Sequence, residues 1–319
     1  MNLRPSGYEP DELPTAPPRD INTILRFVYK FAKKKIKMSF KSGFVSIVGN
    51  PNVGKSTLFN SLIKDDISVV TNKSQTTRDC IKGILTTKDY QIILLDTPGH
   101  VESSYSLHDK MNRNIFSSLD GVDLVLYVTD VREKLINNEL IDVVLRKNIP
   151  IILVVNKKDL NDKFDLTNIE EPFENKILIS SRNTMDIEKI KNLILKNLPT
   201  HPPYYEKNDL TDKSERFLIS EIIRGEIFKN FSKEVPYSTF IEIFLFKNLN
   251  RLLKIEGHVI TESESQKKIL IGKKGNMIRK FSESSRIIIE KKYQKKVYIN
   301  LTIKVKKWRN DMNFVNNKF

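Results

Sequence analysis

Phe44-Val-Ser-Ile-Val48 runs directly into Gly49-Asn-Pro-Asn-Val-Gly-Lys-Ser56, and Lys55 to Ile63 continues as a helix. A short β-branched strand, a glycine-rich turn and a helix, in that order, form a phosphate-binding loop. The glycines permit backbone angles that turn successive N–H groups inward on an anion, and the helix start adds the positive end of its dipole. Apolar runs and helical stretches alternate outward from this loop. Gln91–Leu95, Leu124–Thr129 and Pro150–Val155 read as buried parallel strands, Ile177–Ile179 as a short last one, and Asp186–Asn197 as a helix. This alternation predicts a doubly wound α/β sheet with its ligand at the carboxyl ends of the strands.

Three companion motifs name the ligand. Asp96-Thr-Pro-Gly99 follows a strand, which puts Asp96 near a metal and the Gly99 N–H near a terminal phosphate. Asn156-Lys-Lys-Asp159 suits guanine, because a carboxylate accepts both N1–H and the exocyclic N2–H, a donor pair that adenine lacks. Ser180-Ser-Arg182 follows a strand and offers backbone contact to guanine O6 from Ser180 and Ser181. The expected ligand is therefore GTP with Mg²⁺, and GDP after loss of phosphate. Lys55 is expected at the β- and γ-phosphates. Ser56 is the direct Mg²⁺ ligand, Asp96 acts through water, and Thr77 (favoured over Thr76) completes the shell when GTP is present. Release of these loops on γ-phosphate loss would make a switch. Asn156 is assigned to guanine N7 and to holding the loops together, Lys157 to covering the base, and Asp159 to reading its edge. The candidate nucleotide-binding set is Gly49, Asn50, Pro51, Asn52, Val53, Gly54, Lys55, Ser56, Thr57, Asp96, Thr97, Pro98, Gly99, His100, Asn156, Lys157, Lys158, Asp159, Ser180 and Ser181, and the catalytic candidates are Lys55, Thr77 and Gly99.

Composition bounds the rest. At 319 residues the chain can hold two cores, and no apolar run approaches the ~20 residues of a bilayer span. One cysteine, Cys80, excludes an internal disulfide and reads as a packing residue in a reducing compartment. Lysines and arginines number 54 against 39 acidic residues, a net charge of +15. Between Arg251 and Arg309 the count is 17 basic against 5 acidic, a local balance of +12, which points to a polyanion partner at that end. Prolines 199, 202 and 203 mark a boundary. Beyond it, Lys213–Phe231 reads as an amphipathic helix, then Tyr237–Phe246, Leu252–Thr261 and Lys267–Ile271 as strands, Met277–Tyr293 as a helix and Val297–Val305 as a strand.

Gly272-Lys-Lys-Gly275 falls in this second part, read as lying between a strand and a helix, and fits the GxxG loop with which KH domains clamp a nucleic-acid backbone. Lys273 and Lys274 supply charge. Ile269, Ile271, Met277, Ile278 and Phe281 are candidates for the groove that seats bases, and Trp308 either stacks on a base or caps the last strand. The expected division is 1–38 an appended extension, 39–200 a nucleotide domain, 201–212 a linker, 213–309 a KH domain and 310–319 a tail. The extension is Pro-rich at first, and its 21–37 stretch is a candidate basic helix for peripheral membrane contact, with Met38 as an alternative start.

On these residues the chain resembles the Era family of ribosome-assembly GTPases, from Lys41 to about Arg309. Phe40-Lys-Ser-Gly-Phe-Val-Ser-Ile-Val-Gly49, Gln75-Thr-Thr-Arg78, Glu221-Ile-Ile-Arg224, Val235-Pro-Tyr237 and Gln266-Lys-Lys268 before Ile271-Gly-Lys-Lys-Gly275 carry the resemblance. It implies a P-loop GTPase domain followed by a smaller α+β type II KH domain. It also implies RNA binding near the 3′ end of small-subunit ribosomal RNA and a partner in the immature small ribosomal subunit. A cytoplasmic monomer is expected. The family lacks the Gln that orients water in other GTPases; here His100 follows Gly99. An Asn matching Asn52 is associated in related GTPases with a potassium ion, which makes K⁺ a candidate cofactor. A non-catalytic, GTP-responsive RNA chaperone and a membrane-associated GTPase are the alternative readings.

Overall fold

The computed structural model describes residues 40–73, 76–99, 106–132, 138–169, 173–311 and 314. The extension 1–38 with its 21–37 stretch, Gln75, His100 and most of the tail lie outside the described residues. In the first domain β1 (Lys41–Val48), α1 (Lys55–Ile63), β2 (Ile81–Thr86), β3 (Tyr90–Asp96), α2 (Ser106–Ser117), β4 (Leu124–Asp130), α3 (Asn138–Arg146), β5 (Ile151–Asn156), β6 (Asn175–Leu178) and α4 (Thr184–Asn197) follow in order. The sheet order is β2-β3-β1-β4-β5-β6. All pairs are parallel except β2 with β3.

Every residue of β4 and β5 is buried, as a strand covered on both faces requires. Successive side chains serve opposite layers. Leu126 and Val128 join the core under α1 and α4, while Val125 and Tyr127 join the core under α2 and α3. Each fully buried aliphatic side chain contributes about 1.5–3 kcal/mol. The phosphate loop and the 156–159 and 180–182 loops all leave carboxyl ends of strands, so the sheet gathers them at one edge.

The second domain contains α5 (Glu215–Asn230), α6 (Glu234–Tyr237), β7 (Phe240–Asn248), β8 (Leu252–Thr261), α7 (Glu264–Ile271), α8 (Asn276–Tyr293) and β9 (Lys296–Val305). β8 is central, antiparallel to β7 and parallel to β9. Ile219, Ile223 and Ile227 stand four apart on α5, are fully buried, and meet Leu253, Ile255, Phe281 and Ile289. The expected strand Lys267–Ile271 is instead the helix α7. Ser263 caps it by accepting from the Gln266 N–H, and the Gln266 side chain reaches back to accept from the Glu262 N–H at 3.1 Å. That capping pattern outweighs the β-branched residues.

Residues 199–212 run along the first domain. Ser42 N–H donates to the Pro199 carbonyl, Gln91 accepts from the Tyr204 and Tyr205 N–H groups at 2.7 and 3.0 Å, and Ile84 N–H donates to the Leu210 carbonyl. Phe40–Phe319 forms one compact unit.

Candidate functional site

A cleft of ≈ 500 Å³ opens between the phosphate loop, residues 69–73, Thr76 and Thr77, and the 156–160 and 180–182 segments. That volume suits a nucleotide. Lys55 is buried at the start of α1, and its Nζ donates to the Gly49 and Asn50 carbonyls at 2.9 and 2.8 Å, which poises its charge inside the loop. Gly99 lies against the same loop, so a Cβ there would fall 2.8 Å from Pro51 Cγ. The Thr97 hydroxyl donates to the Ile47 carbonyl and fixes the exit of β3.

The metal candidates converge. Ser56 Oγ and Thr77 Oγ1 are 2.9 Å apart, whereas Thr76 is bonded to Thr71 and to the Lys73 carbonyl. Asp96 is fully buried; one carboxylate oxygen accepts from Ser68 Oγ at 2.7 Å and the other, Oδ1, has no hydrogen-bond partner among the described residues. Burial pushes its carboxyl above the usual range, opposed by the hydroxyls of Ser68, Ser56 and Thr77 and by the Lys55 charge. A buried orphan carboxylate oxygen beside two hydroxyls is the donor set that a hydrated Mg²⁺ ion satisfies.

The base-reading loops hold one another. Asn156 donates to the Val53 carbonyl at 2.9 Å and accepts from the Ser181 N–H and hydroxyl at 3.0 and 2.8 Å. Asp159 is exposed to the cleft and accepts from Ser180 Oγ at 2.7 Å. Lys157 Nζ bridges the Asn52 carbonyl and the Asp130 carboxylate at 2.5 and 2.6 Å, stretching its stem across the base end of the cleft. Burial pushes the Asp130 carboxyl up, but hydrogen bonds from Arg132 and Lys157 prevail and bring it down to about 2. Ser180 and Ser181 do not present their N–H groups to a base in this arrangement. The first donates to Asp186 at 3.0 Å and the second to Asn156.

In the second domain Gly272-Lys-Lys-Gly275 joins two helices, α7 and α8. Gly272 has φ 73° and a Cβ would fall 2.4 Å from Asn276 Oδ1, so only glycine fits. Lys273 and Lys274 project exposed from the turn. Ile269 beside it is 50% exposed, an apolar surface not used by the core.

Known proteins share this architecture. The family of 50S ribosome-binding GTPases matches residues 44–157, and the KH domain family matches residues 234–309. The GTPase Era of Clostridium kluyveri is 41% identical over 279 residues, spanning 84% of this chain and 95% of its own length. That of Clostridium acetobutylicum is 40% identical over 279 residues, spanning 85% of this chain and 94% of its own. This chain belongs to the Era GTPase family. Era in complex with MgGDPNP and nucleotides 1506–1542 of 16S ribosomal RNA is 31% identical, with a TM-score of 0.80 over 88% of this chain and 98% of that one. A point variant of Aquifex aeolicus Era bound to GDP and AlF4⁻ is 31% identical, with a TM-score of 0.79 over 87% and 98%.

One sequence expectation for the Era-family RNA-binding domain does not hold: Phe281 does not line the groove but is fully buried against Phe231. Of the two roles read for Trp308, stacking on a base is ruled out, because the ring is fully buried and donates through Nε1 to the Ser238 carbonyl at 3.2 Å. Residues that pattern reading misses act by support: Ser68 on Asp96, Asp130 on Lys157, Asp186 on Ser180, and Ser61, whose hydroxyl donates to the Ser181 carbonyl at 2.7 Å. None belongs to a motif; only the folded loops bring them in.

Proposed function

We propose that this Era-family chain hydrolyses GTP to GDP and phosphate and, through its KH domain, holds the 3′ end of small-subunit ribosomal RNA during assembly of that subunit. The observation that carries this is one compact unit that contains both a guanine-reading phosphate loop and an exposed Gly-Lys-Lys-Gly turn. Its relative's complex with MgGDPNP and nucleotides 1506–1542 of 16S ribosomal RNA supports the choice of RNA.

Lys55 exchanges its loop carbonyls for phosphate oxygens when GTP enters. Gly99 N–H donates to the γ-phosphate. Asp96, Ser56 and Thr77 would hold a hydrated Mg²⁺ ion, which when bound would neutralise negative charge on the phosphates. Water attacks the γ-phosphorus, the bond to the β–γ bridging oxygen breaks, and GDP leaves. Asp159 reads guanine N1–H and N2–H, and Asn156 gives its remaining amide hydrogen to N7. With the Ser180 and Ser181 donors engaged, O6 falls to the N–H of Arg182, which also lines the cleft. Asn52, at φ 65° in the phosphate loop, is the candidate potassium ligand, read by turnover in KCl against NaCl. The protein acts as a cytoplasmic monomer. No described helix is long and apolar enough to cross a membrane.

Phosphate release from GTP and from ATP, with and without Mg²⁺, tests the proposal. Mg²⁺-dependent release from GTP alone is expected. Tight GTP binding with no release would instead identify a nucleotide-responsive RNA chaperone.

A further inference from the structure

The loop that carries Thr77 is bound by the RNA-binding domain. Lys73 Nζ donates to the Phe228 and Phe231 carbonyls at the carboxyl end of α5. The Arg78 guanidinium donates to the Thr239 carbonyl at 2.7 Å, to the Tyr237 carbonyl at 3.0 Å and to the Pro236 carbonyl at 3.4 Å, just beyond and within α6. Both cations of this loop therefore take main-chain carbonyls at or just past the ends of two helices, and the Pro236 carbonyl is shared with the Thr239 hydroxyl at 2.8 Å. Arg78 is 4% exposed, and its Cζ stands 5.4 Å from the ring centroid of Trp308. Trp308 also belongs to the cluster with Leu107 and Met111 of α2, the helix after the Asp96–Gly99 strand end.

A second link continues from the same corner. Ser238 lies between two of the carbonyls that hold Arg78, and its hydroxyl accepts from Gln266 Nε2 at 3.0 Å. Gln266 anchors the start of α7 through Thr261 and Glu262, and α7 ends in the Gly272 turn. Main-chain and side-chain bonds therefore run without a break from the metal-site hydroxyls to the RNA-clamping loop.

A buried guanidinium is a poor choice for mere adhesion. Apolar residues of similar volume usually serve an interface as well or better, because the charge must be desolvated. We propose that Arg78 is a positioning residue: held by the KH domain, it sets Thr77 beside Ser56, and through Ser238 and Gln266 it makes the grip on RNA depend on the nucleotide. This rests on the reading of Thr77 as a metal-site hydroxyl. GTP with Mg²⁺ draws Thr77 toward the phosphates, and Arg78, next in the chain, carries that displacement to the α6 corner.

The test measures affinity for an oligonucleotide of the small-subunit ribosomal RNA 3′ end, with a GTP analogue and with GDP, in the full chain. Coupled sites commonly differ about 5–150-fold between states. Arg78→Ala is expected to bring the ratio of the two affinities to within about twofold of one, with GDP affinity retained. Arg78→Lys keeps the charge but cannot span three carbonyls, and restores part of the ratio. Gln266→Ala lowers the ratio as well, and combining it with Arg78→Ala adds little, since both break one path. Trp308, the only tryptophan, supplies a second readout: its fluorescence differs between the two nucleotides in the wild type and not in Arg78→Ala. An unchanged affinity ratio in both Arg78→Ala and Gln266→Ala overturns the proposal. If Thr77→Ala leaves the Mg²⁺ dependence of GTP binding untouched, the metal reading beneath it has failed instead.

Discussion

Replacing Asn156 with Ala should destabilise the protein even with no nucleotide present. The side chain is 2% exposed and makes three hydrogen bonds, one to the Val53 carbonyl and two from Ser181. Truncation leaves the Val53 carbonyl and the Ser181 N–H without these partners inside the protein. An unsatisfied buried group costs about 1–3 kcal/mol, and the void adds to this, so the sum is about 3–4 kcal/mol. For a domain of this size each kcal/mol lowers Tm by about 2–4 °C, giving a fall of roughly 6–16 °C. Thermal unfolding of the nucleotide-free protein, followed by circular dichroism, measures it. Asn156→Asp keeps an acceptor for Ser181 but places a charge against the Val53 carbonyl, so it should not restore stability. A variant with the wild-type Tm and a selective loss of GTP affinity would refute the reasoning. Asn156 would then be a base ligand and not the tie between the loops.

Three further outcomes follow from the same structure. Asp159→Asn exchanges an acceptor pair for one acceptor and one donor; GTP affinity should fall about 10–100-fold while xanthosine triphosphate gains, as competition binding would reveal. Burial, followed by the pull of Lys213, the push of Glu221 and the pull of Arg224 and Arg78, leaves the Asp79 carboxyl raised to about 6 from 3.8. The folded state then holds a proton that the unfolded chain releases between about pH 4 and 6, so this group's stability contribution falls by about 3 kcal/mol as pH rises through that window. Asp79→Asn should therefore gain stability over wild type more at pH 7 than at pH 4.5 in urea titrations; equal gains at both would count against it. Burial raises the Cys80 thiol to about 12, so thiol reagents at pH 8 should modify it only after unfolding.

The nucleotide domain is legible in the sequence because its chemistry is local: the phosphate loop and the guanine motif need fixed residue types at fixed spacings. The edge strand β2 is not legible, since its antiparallel pairing with β3 is a tertiary fact, and Gly83 interrupts its apolar pattern. α7 reads as a strand because Ile269, Leu270 and Ile271 form an apolar run with two β-branched members, yet only Leu270 is fully buried. The signal that settles it, Ser263 three residues before Gln266, is present in the sequence. Trp308 and Phe281 suit RNA by residue type, but burial claims both. Arg78 is visible in the sequence only as part of a resemblance; its contacts join residues about 160 positions apart, a separation that no local pattern encodes.

The most direct test is the affinity of the intact chain for the 3′ end of small-subunit ribosomal RNA, compared with the Lys273→Asp, Lys274→Asp double variant, each with a GTP analogue and with GDP. Tight binding that depends on the nucleotide and is lost in the variant, with GTP turnover retained, is the expected result. Equal binding by the two proteins would contradict it, because the Gly272–Gly275 turn would not then be the clamp.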